Sequence, residues 1–364
     1  MPGDPSSAEG PRPTLIDVAT VGRPGLPRAM APMRPRLAAD AFNSPDHIFE
    51  LKWDGIRALV ARDAAGIRVV DRHGGDLLPL LPELADMHIP DGILLDGEVI
   101  VCDSRGRPSY ELLAERFLRE RPPMLPGARP AARRRGPLFV AFDLLYDDGR
   151  PLLSLALEQR RARLLERGLH GPIVFVPDHL EGDGEPFFDV VAEYGLEGMI
   201  AKRRDSRYIP GARTADWLKC HVTPRSDVVL GGLVEDRGRA QTALCGVRAG
   251  EELVFATEAR VPPLYAEWLS GATRSFTAGA SPFAGPVGVG SGTRWLRPRL
   301  VAIVEHEGHA GGALADARFR GLRFDGRPED CRREEPVDVP DAPASLGPER
   351  PRLVLLRSLP FPVE

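Results

Sequence analysis

The sequence predicts an α+β chain: antiparallel sheets with flanking helices, followed by a small β-barrel. Three observations predict it. The chain has 364 residues, and at roughly 100–200 residues per domain that length suggests two domains. Up to about residue 221, short alternating apolar runs mix with stretches of helical spacing. Beyond it, short strands with Gly-rich joints and one helix follow each other, a pattern that suits a small barrel.

Taken in order, residues 1–28 are rich in Pro and Gly without periodicity and read as a disordered segment. His47–Lys52 and Ile56–Arg62 read as strands around a Trp-Asp-Gly turn, and Ile67–Asp71 as a third. Leu80–Met87 reads as a short helix, Ile93–Cys102 as a strand interrupted at Asp96-Gly97, and Tyr110–Arg119 as a helix. Pro122–Gly136 is a loop or insert whose Arg129, Arg133, Arg134 and Arg135 are candidates for phosphate contacts or for a solvated surface. Leu138–Tyr146 is a buried strand, and Leu155–Arg167 and Phe187–Tyr194 are helices. Glu197–Arg203 is a strand, and a turn at Pro210-Gly211 leads into Trp217-Leu218-Lys219. Val228–Val234, Thr242–Val247, Leu253–Ala256 and Leu300–Glu305 are the expected barrel strands, with a helix at Pro263–Leu269. The boundaries drawn are 29–222 for the first domain and 223–335 for the second, with a loosely packed Pro-rich tail at 336–364.

Composition removes several classes of function. Gly 38 and Pro 37 show no repeat period, which excludes collagen. No run approaches the ~20 apolar residues of a membrane helix, and the first residues lack the apolar core of a signal peptide. A cytoplasmic location without a membrane partner is the expectation. The four cysteines, Cys102, Cys220, Cys245 and Cys331, form no CxxC pair and fit neither a disulfide framework nor a zinc site. His306-Glu307-Gly308-His309 has the wrong spacing for a zinc HExxH helix. A net charge of −4 argues against a globally basic nucleic-acid binder but allows a local basic face.

One count is more informative. Of 48 basic residues only three are lysines, Lys52, Lys202 and Lys219, as a coding bias toward Arg would produce. Under such a bias a surviving lysine marks a place where Arg cannot serve. Arg stays protonated, whereas Lys can lose its proton and attack an electrophile. Around the three stand Asp96-Gly97-Glu98, Arg72, Glu197 and Phe142-Asp143. One nucleophile, several cations, two or three carboxylates and an aromatic suit phosphoryl or nucleotidyl transfer with a divalent metal.

Six ordered blocks make the pattern specific: KWDGIR from Lys52, DRHG from Asp71, LDGEVI from Leu95, AFDLLYDDG from Ala141, EGMIAKR from Glu197, and SRYIPGARTADWLK ending at Lys219. FRGLRFDGRPED, from Phe319, follows as the last motif. Over about residues 30–335 the sequence resembles the ATP-dependent DNA ligases of the covalent nucleotidyltransferase superfamily. It looks closest to the ligase module of bacterial end-joining ligases. All three lysines fall on lysine positions of that family.

The resemblance implies a nucleotidyltransferase (adenylation) domain followed by an OB-fold barrel, with ATP and Mg²⁺ (or Mn²⁺) as cofactors. Lys52 would attack the α-phosphorus of ATP and carry AMP as a phosphoramidate. A free lysine amine titrates near ~10.4, so Lys202, Lys219 and the metal would have to favour its neutral form. Glu98 and Glu197 would hold ribose hydroxyl and metal. Phe142 would stack on adenine, and Glu50 would lie near its exocyclic amine. Arg57 and Arg72 would grip the nucleotide or the 5′-phosphate of a nick. Trp217 and Arg323 join the ATP-binding set, and His221 and Asp325 are further candidates. AMP would pass to a DNA 5′-phosphate, and a 3′-hydroxyl would displace it. Partners would be nicked or broken double-stranded DNA and end-joining or repair proteins on separate chains. A monomer associated with a bacterial nucleoid is expected.

Two positions depart from the family pattern. The fifth motif usually carries two lysines, and the second is His221 here. The last motif usually reads Arg-x-Asp-Lys, and Gly326 stands in the lysine position. Both losses remove cations that act on the first step. They predict slow self-adenylylation and motivate a rival reading, a pseudo-ligase that binds broken DNA without sealing it. An RNA ligase or capping guanylyltransferase, which shares the Lys-x-Asp-Gly chemistry, is the enzyme rival.

Overall fold

The computed structural model describes residues 25–117, 136–169, 171–290, 292–310, 313–339, 342–343 and 349–359. The Arg129–Arg135 cluster lies outside the described residues, as does most of the segment 1–28.

Two sheets and a barrel carry the chain. The first sheet uses β1 (Arg34–Leu37) and β2 (Ser44–Leu51). The second opens with β3 (Ile56–Asp63), β4 (Gly66–Asp71) and β5 (Ile93–Ile100). Helix α1 (Tyr110–Ala114) follows, then β6 (Leu138–Asp147) and β7 (Arg150–Pro151). After α2 (Leu157–Glu166) come β8 (Val174–Phe175), β9 (Leu180–Gly182) and α3 (Gly184–Glu193). Strands β10 (Gly198–Arg203) and β11 (Arg213–His221) return to the first sheet, whose order is β1-β11-β10-β2-β9. The second sheet runs β4-β3-β5-β6-β7, with β8 also on β6.

The expectation of antiparallel sheets needs correction, because β1 runs parallel to β11 and β8 parallel to β6. A parallel neighbour requires a long crossover, and in both places the intervening chain provides one. Leu80–Met87 is not an α-helix either: Pro82 opens a single 3₁₀ turn, Pro82–Asp86. Ile93–Cys102 is one strand to Ile100, and Asp96-Gly97 marks a slip in register against β6 rather than a break.

Beyond residue 224 a closed barrel forms from β12 (Arg225–Asp236), β13 (Arg239–Ala249), β14 (Glu252–Arg260), β15 (Thr293–Glu305) and β18 (Arg318–Arg323). Its order is β12-β13-β14-β18-β15. Helix α4 (Pro263–Ala272) connects β14 to β15, and the hairpin β16 (His309–Ala310) with β17 (Ala313–Leu314) precedes β18. The strand Arg318–Arg323 was not among the expected ones, because Arg, Gly and Arg break its apolar alternation.

The tail is also more ordered than its composition suggests. Val337 pairs beside Ala38, and its N–H donates to the Leu37 carbonyl at 2.9 Å. Helix α5 (Glu349–Ser358) buries Val354 and Leu355 in the core that contains Phe187, Val190 and Val191 of α3. With Leu359 just past the helix end, three apolar side chains within about a turn and a half dock it.

Candidate active site

Strand period and register assemble the three lysines. Successive strand residues face opposite sides. Across β2, β10 and β11, Lys202 pairs with Ile48 and Trp217, and Ile200 with Glu50 and Lys219. Gly198 pairs with His221, and its carbonyl accepts the Lys52 N–H at 2.8 Å. The outcome is a grid three strands wide and three rows deep. Glu50, Lys52, Lys202, Trp217, Lys219 and His221 line one cleft. The alternate residues Phe49, Leu51, Met199, Ala201, Leu218 and Cys220 belong to the core behind it.

Glu197 and Lys202, five apart, would face opposite sides of a regular strand. Glu197 instead precedes β10, and Gly198 turns the chain with φ of +154°. A Cβ at Gly198 would run into the Cys220 carbonyl oxygen. The turn brings Glu197 Oε1 to 2.5 Å from Lys52 Nζ.

Strands β3 and β5 add a second wall, where Arg57 and Glu98 are cross-strand partners. Arg57, expected to grip the nucleotide or the 5′-phosphate of a nick, lines the cleft, with Nε and Nη2 bonded to Asp96 Oδ1 and Oδ2, both at 2.6 Å. Asp96 also accepts the Tyr208 hydroxyl at 2.6 Å. The register slip beside Gly97 aims Asp96 this way, and a Cβ at Gly97 would strike the Val140 carbonyl oxygen. Phe142 lines the cleft with its ring flanked by the Arg57 guanidinium at 4.5 Å and Lys202 Nζ at 4.1 Å.

The grid is electrostatically tight. Lys202 Nζ lies 2.6 Å from Glu50 Oε2, and Arg161 Nη1 of α2 lies 2.7 Å from Glu50 Oε1. Burial alone would raise Glu50, but Lys202 and Arg161 outweigh it and hold the carboxyl below its ordinary value. Burial lowers the Lys202 amine against the pull of Glu50 and Asp143. Lys219 Nζ sits 2.7 Å from Glu334 Oε2, and Arg213 contacts Oε1 of the same carboxylate. Burial, then the charges of Lys52, Lys219 and Arg225, push His221 well below its ordinary value. His221 is therefore neutral at pH 7 and supplies no second cation.

The barrel closes the cleft from the other side. Arg323 Nε lies 2.9 Å from Asp227 Oδ1, and its guanidinium covers the Tyr110 ring at 4.8 Å. Arg72 Nε donates to the Asp325 carbonyl at 3.0 Å and lies 3.4 Å from its Oδ2. Gly326 sits against Val301 and Arg323. The cleft has a volume of about 670 Å³, within the range of small-molecule sites.

Glu98 and Glu197 fit a magnesium ion by their chemistry. Glu197 Oε2 is buried with no hydrogen-bond partner. Burial pushes Glu98 up to about 8, against Arg57 and Lys52, and raises Glu197 likewise. Such oxygens gain from a hard cation. Among the described residues no three or more His, Cys, Asp or Glu converge on one point. A Mg²⁺ ion held by Glu98 and Glu197 would complete its shell with phosphates and water, as this ion usually does with one or two carboxylates.

Sequence reasoning did not single out Tyr208, Arg161 or Glu334, and gave Asp96 no role. Tyr208 lies inside the SRYIPGARTADWLK block, so position along the chain was a signal; for Arg161 and Glu334 there was none.

Residues 31–221 match the family described as ATP dependent DNA ligase domain. The chain is 36% identical over 304 residues to the multifunctional non-homologous end joining DNA repair protein LigD of Mycobacterium tuberculosis, covering 79% of this chain and 37% of that protein. It thus spans well under half the length of that relative. It is 32% identical over 203 residues to the SPbeta prophage-derived DNA ligase-like protein LigB of Bacillus subtilis, covering 56% of this chain and 71% of LigB. The solved structure of mycobacterial DNA ligase D complexed with ATP and MES is similar at TM-score 0.58 and 34% identity, over 84% of this chain and 98% of that one. By the match over residues 31–221, and with the lysine grid and its cleft in place, the chain belongs to the ATP-dependent DNA ligase family.

Proposed function

We propose that the chain seals nicked or broken double-stranded DNA with ATP, through AMP carried on Lys52. The observation that carries this reading is Lys52 Nζ, set 2.5 Å from Glu197 in a cleft that also holds Glu98, Arg72 and Arg323. The nitrogen attacks the α-phosphorus, the P–N bond forms, and the bond to pyrophosphate breaks. Glu197 Oε1 is the nearest carboxylate to receive the amine proton. Lys219 and Arg323 face the departing phosphates, Phe142 and Trp217 wall the base, and Arg57 keeps Asp96 and Tyr208 in place beside them. A Mg²⁺ or Mn²⁺ ion held by Glu98 and Glu197 would neutralise charge on the phosphates. AMP then passes to a DNA 5′-phosphate and is displaced by a 3′-hydroxyl.

The barrel is assigned as an OB-fold. A five-stranded order β12-β13-β14-β18-β15, with α4 between the third and fourth strands, supports it. Domain limits of 29–222 and 223–335 follow, with the chain acting as a monomer on bacterial DNA. The name of the tuberculosis relative supports end joining as the setting. No helix among the described residues is long and apolar enough to cross a membrane.

The test strips the protein with pyrophosphate, adds α-labelled ATP and Mg²⁺, and then nicked duplex. Label on the protein followed by sealing is expected. A protein that takes no label and leaves a pre-adenylated nick open would instead be the DNA-binding pseudo-ligase, and label from GTP would point to capping-type chemistry. With His221 neutral and Gly326 uncharged, two charge-assisted contacts are missing, so labelling should run about 10²–10⁴ slower than in a ligase with both lysines. Single-turnover labelling, compared with transfer to DNA, checks that the first step limits the rate.

A second outcome concerns Glu334. ATP must take Lys219 from this carboxylate when its phosphates enter. Glu334→Gln should lower the half-saturating ATP concentration about two- to fivefold, the strength of a partly exposed ion pair. Labelling measured across ATP concentrations checks it.

A further inference from the structure

The barrel is tied to the first sheet twice. At its start, the Val222 N–H donates to the Glu197 carbonyl at 3.0 Å, and the Pro224 carbonyl accepts the His306 N–H at 3.0 Å, so Thr223 alone joins sheet to barrel. At its end, Cys331 is buried among barrel side chains, and its carbonyl accepts the Arg248 N–H at 2.6 Å. Shortly after, Val337 is a parallel partner of Ala38. Its N–H donates to the Leu37 carbonyl at 2.9 Å, and its carbonyl accepts the Ala39 N–H at 3.0 Å. Further on, the Ala342 N–H donates to the Asn43 carbonyl at 3.0 Å, and α5 packs on α3.

Between Cys331 and Val337 the chain runs along the cleft. Arg332, Arg333, Glu334 and Pro336 line it, and Glu334 holds Lys219 at 2.7 Å and Arg213, both on β11. A body joined at one point turns freely, whereas a body joined at two turns only about the line through both. Residues 332–336, even fully extended, reach at most about 18 Å, so the second tie is short. The proposed AMP transfer brings a duplex to Lys52 in this cleft. A cleft of about 670 Å³ is a small-molecule site, whereas the major groove of a duplex alone is about 12 Å wide. The duplex therefore needs the barrel moved aside and residues 332–336 lifted away. Val337 and Glu334 are what hold that segment down.

We propose that residues 332–339 are a clasp: fastened on β1 through Val337 and on Lys219 and Arg213 through Glu334, they hold the barrel over the cleft for the nucleotide step and unfasten to admit the duplex. Helix α5 stays docked on α3 throughout and keeps the clasp near its seat, so it closes again after release. The inference rests on the reading of this cleft as the place where AMP passes to a DNA 5′-phosphate.

The experiment locks the clasp in the full chain. Neighbouring strands lie about 4.8 Å apart, within reach of a disulfide. Ala38→Cys with Val337→Cys can therefore be joined by diamide and parted by dithiothreitol. A Cys220→Ala background removes the native thiol of the adjacent strand β11. One preparation is assayed oxidised and reduced. Labelling by α-labelled ATP should agree within about threefold between the two, because the nucleotide step runs with the clasp fastened. Closure of a pre-adenylated nick at sub-saturating DNA should be at least about tenfold slower when oxidised and should recover on reduction, since apparent affinity scales with the competent fraction. Val337→Pro, which loses the N–H bonded to Leu37, should lower the half-saturating concentration of that nick about two- to tenfold, the strength of one hydrogen bond. It carries the test if the disulfide does not form. Equal closure by oxidised and reduced protein, loss of labelling on oxidation, or an unchanged or higher half-saturating concentration for Val337→Pro would overturn the clasp while leaving the function standing. A wild-type protein that leaves the pre-adenylated nick open would overturn both.

Discussion

Lys52→Ala takes no label from α-labelled ATP and fails to seal a nick when ATP is supplied. The expected loss is on the order of 10⁶-fold, the scale for removing a nucleophile. Lys52→Arg behaves the same way, because a guanidinium stays protonated where an amine can lose its proton. The sharper part of the expectation is what survives. Once AMP is on the DNA, Lys52 forms no further bond in the proposed sequence. A pre-adenylated nick is therefore closed by Lys52→Ala at a rate much nearer to wild type. If the variant failed equally on both substrates, Lys52 would be holding the cleft together rather than attacking ATP. Its position argues against that: the backbone N–H, not the side chain, makes the ladder contact to Gly198, and among the described residues Nζ has a hydrogen bond to Glu197 alone.

Much of this grid was legible in the sequence because strand periodicity is local. Glu50 and Lys52, or Ile200 and Lys202, share a face by spacing alone, and so do Trp217, Lys219 and His221. What joins the three strands is register, and no spacing within one strand states which residue of the next lies opposite. The resemblance supplied that link by listing the blocks together. Partners reached across the fold stayed hidden. Arg161 lies 111 positions from Glu50, and Asp96 lies 112 from Tyr208. On the helix α2, Arg160 and Arg161 are two of several charges between the apolar positions, and nothing in that spacing sets them apart, yet both are buried. The tail was misread for a related reason. Its prolines set the composition, while the few residues that dock α5 onto α3 are too few to dominate it.

The second large effect falls on Arg160 and concerns stability rather than chemistry. Its guanidinium and the Asp143 carboxylate are both 0% exposed, with Nε to Oδ1 and Nη2 to Oδ2 each at 2.8 Å. Arg160 also donates to the carbonyls of Leu155 at 2.7 Å and Ser206 at 2.9 Å, tying α2 and the chain after β10 to β6. Removing one partner strands a charge with no water to solvate it. Asp143→Asn or Arg160→Met should therefore cost about 3–5 kcal/mol in denaturant unfolding, the range for breaking a buried pair. The double variant Asp143→Leu with Arg160→Met should cost clearly less than the two single losses combined, because neither charge is then left alone. Additive losses would mean that the carbonyl contacts, and not the ion pair, hold this joint. The consequence reaches the cleft by adjacency. Phe142 precedes Asp143 on β6, and Arg161 follows Arg160 on α2. A joint that loosens α2 against β6 releases the ring flanked by Lys202 and the guanidinium behind Glu50 together. The single variants should then need more ATP for half-saturating labelling even in conditions where they remain folded, and the double variant, with α2 seated again by apolar contact, should regain part of the affinity.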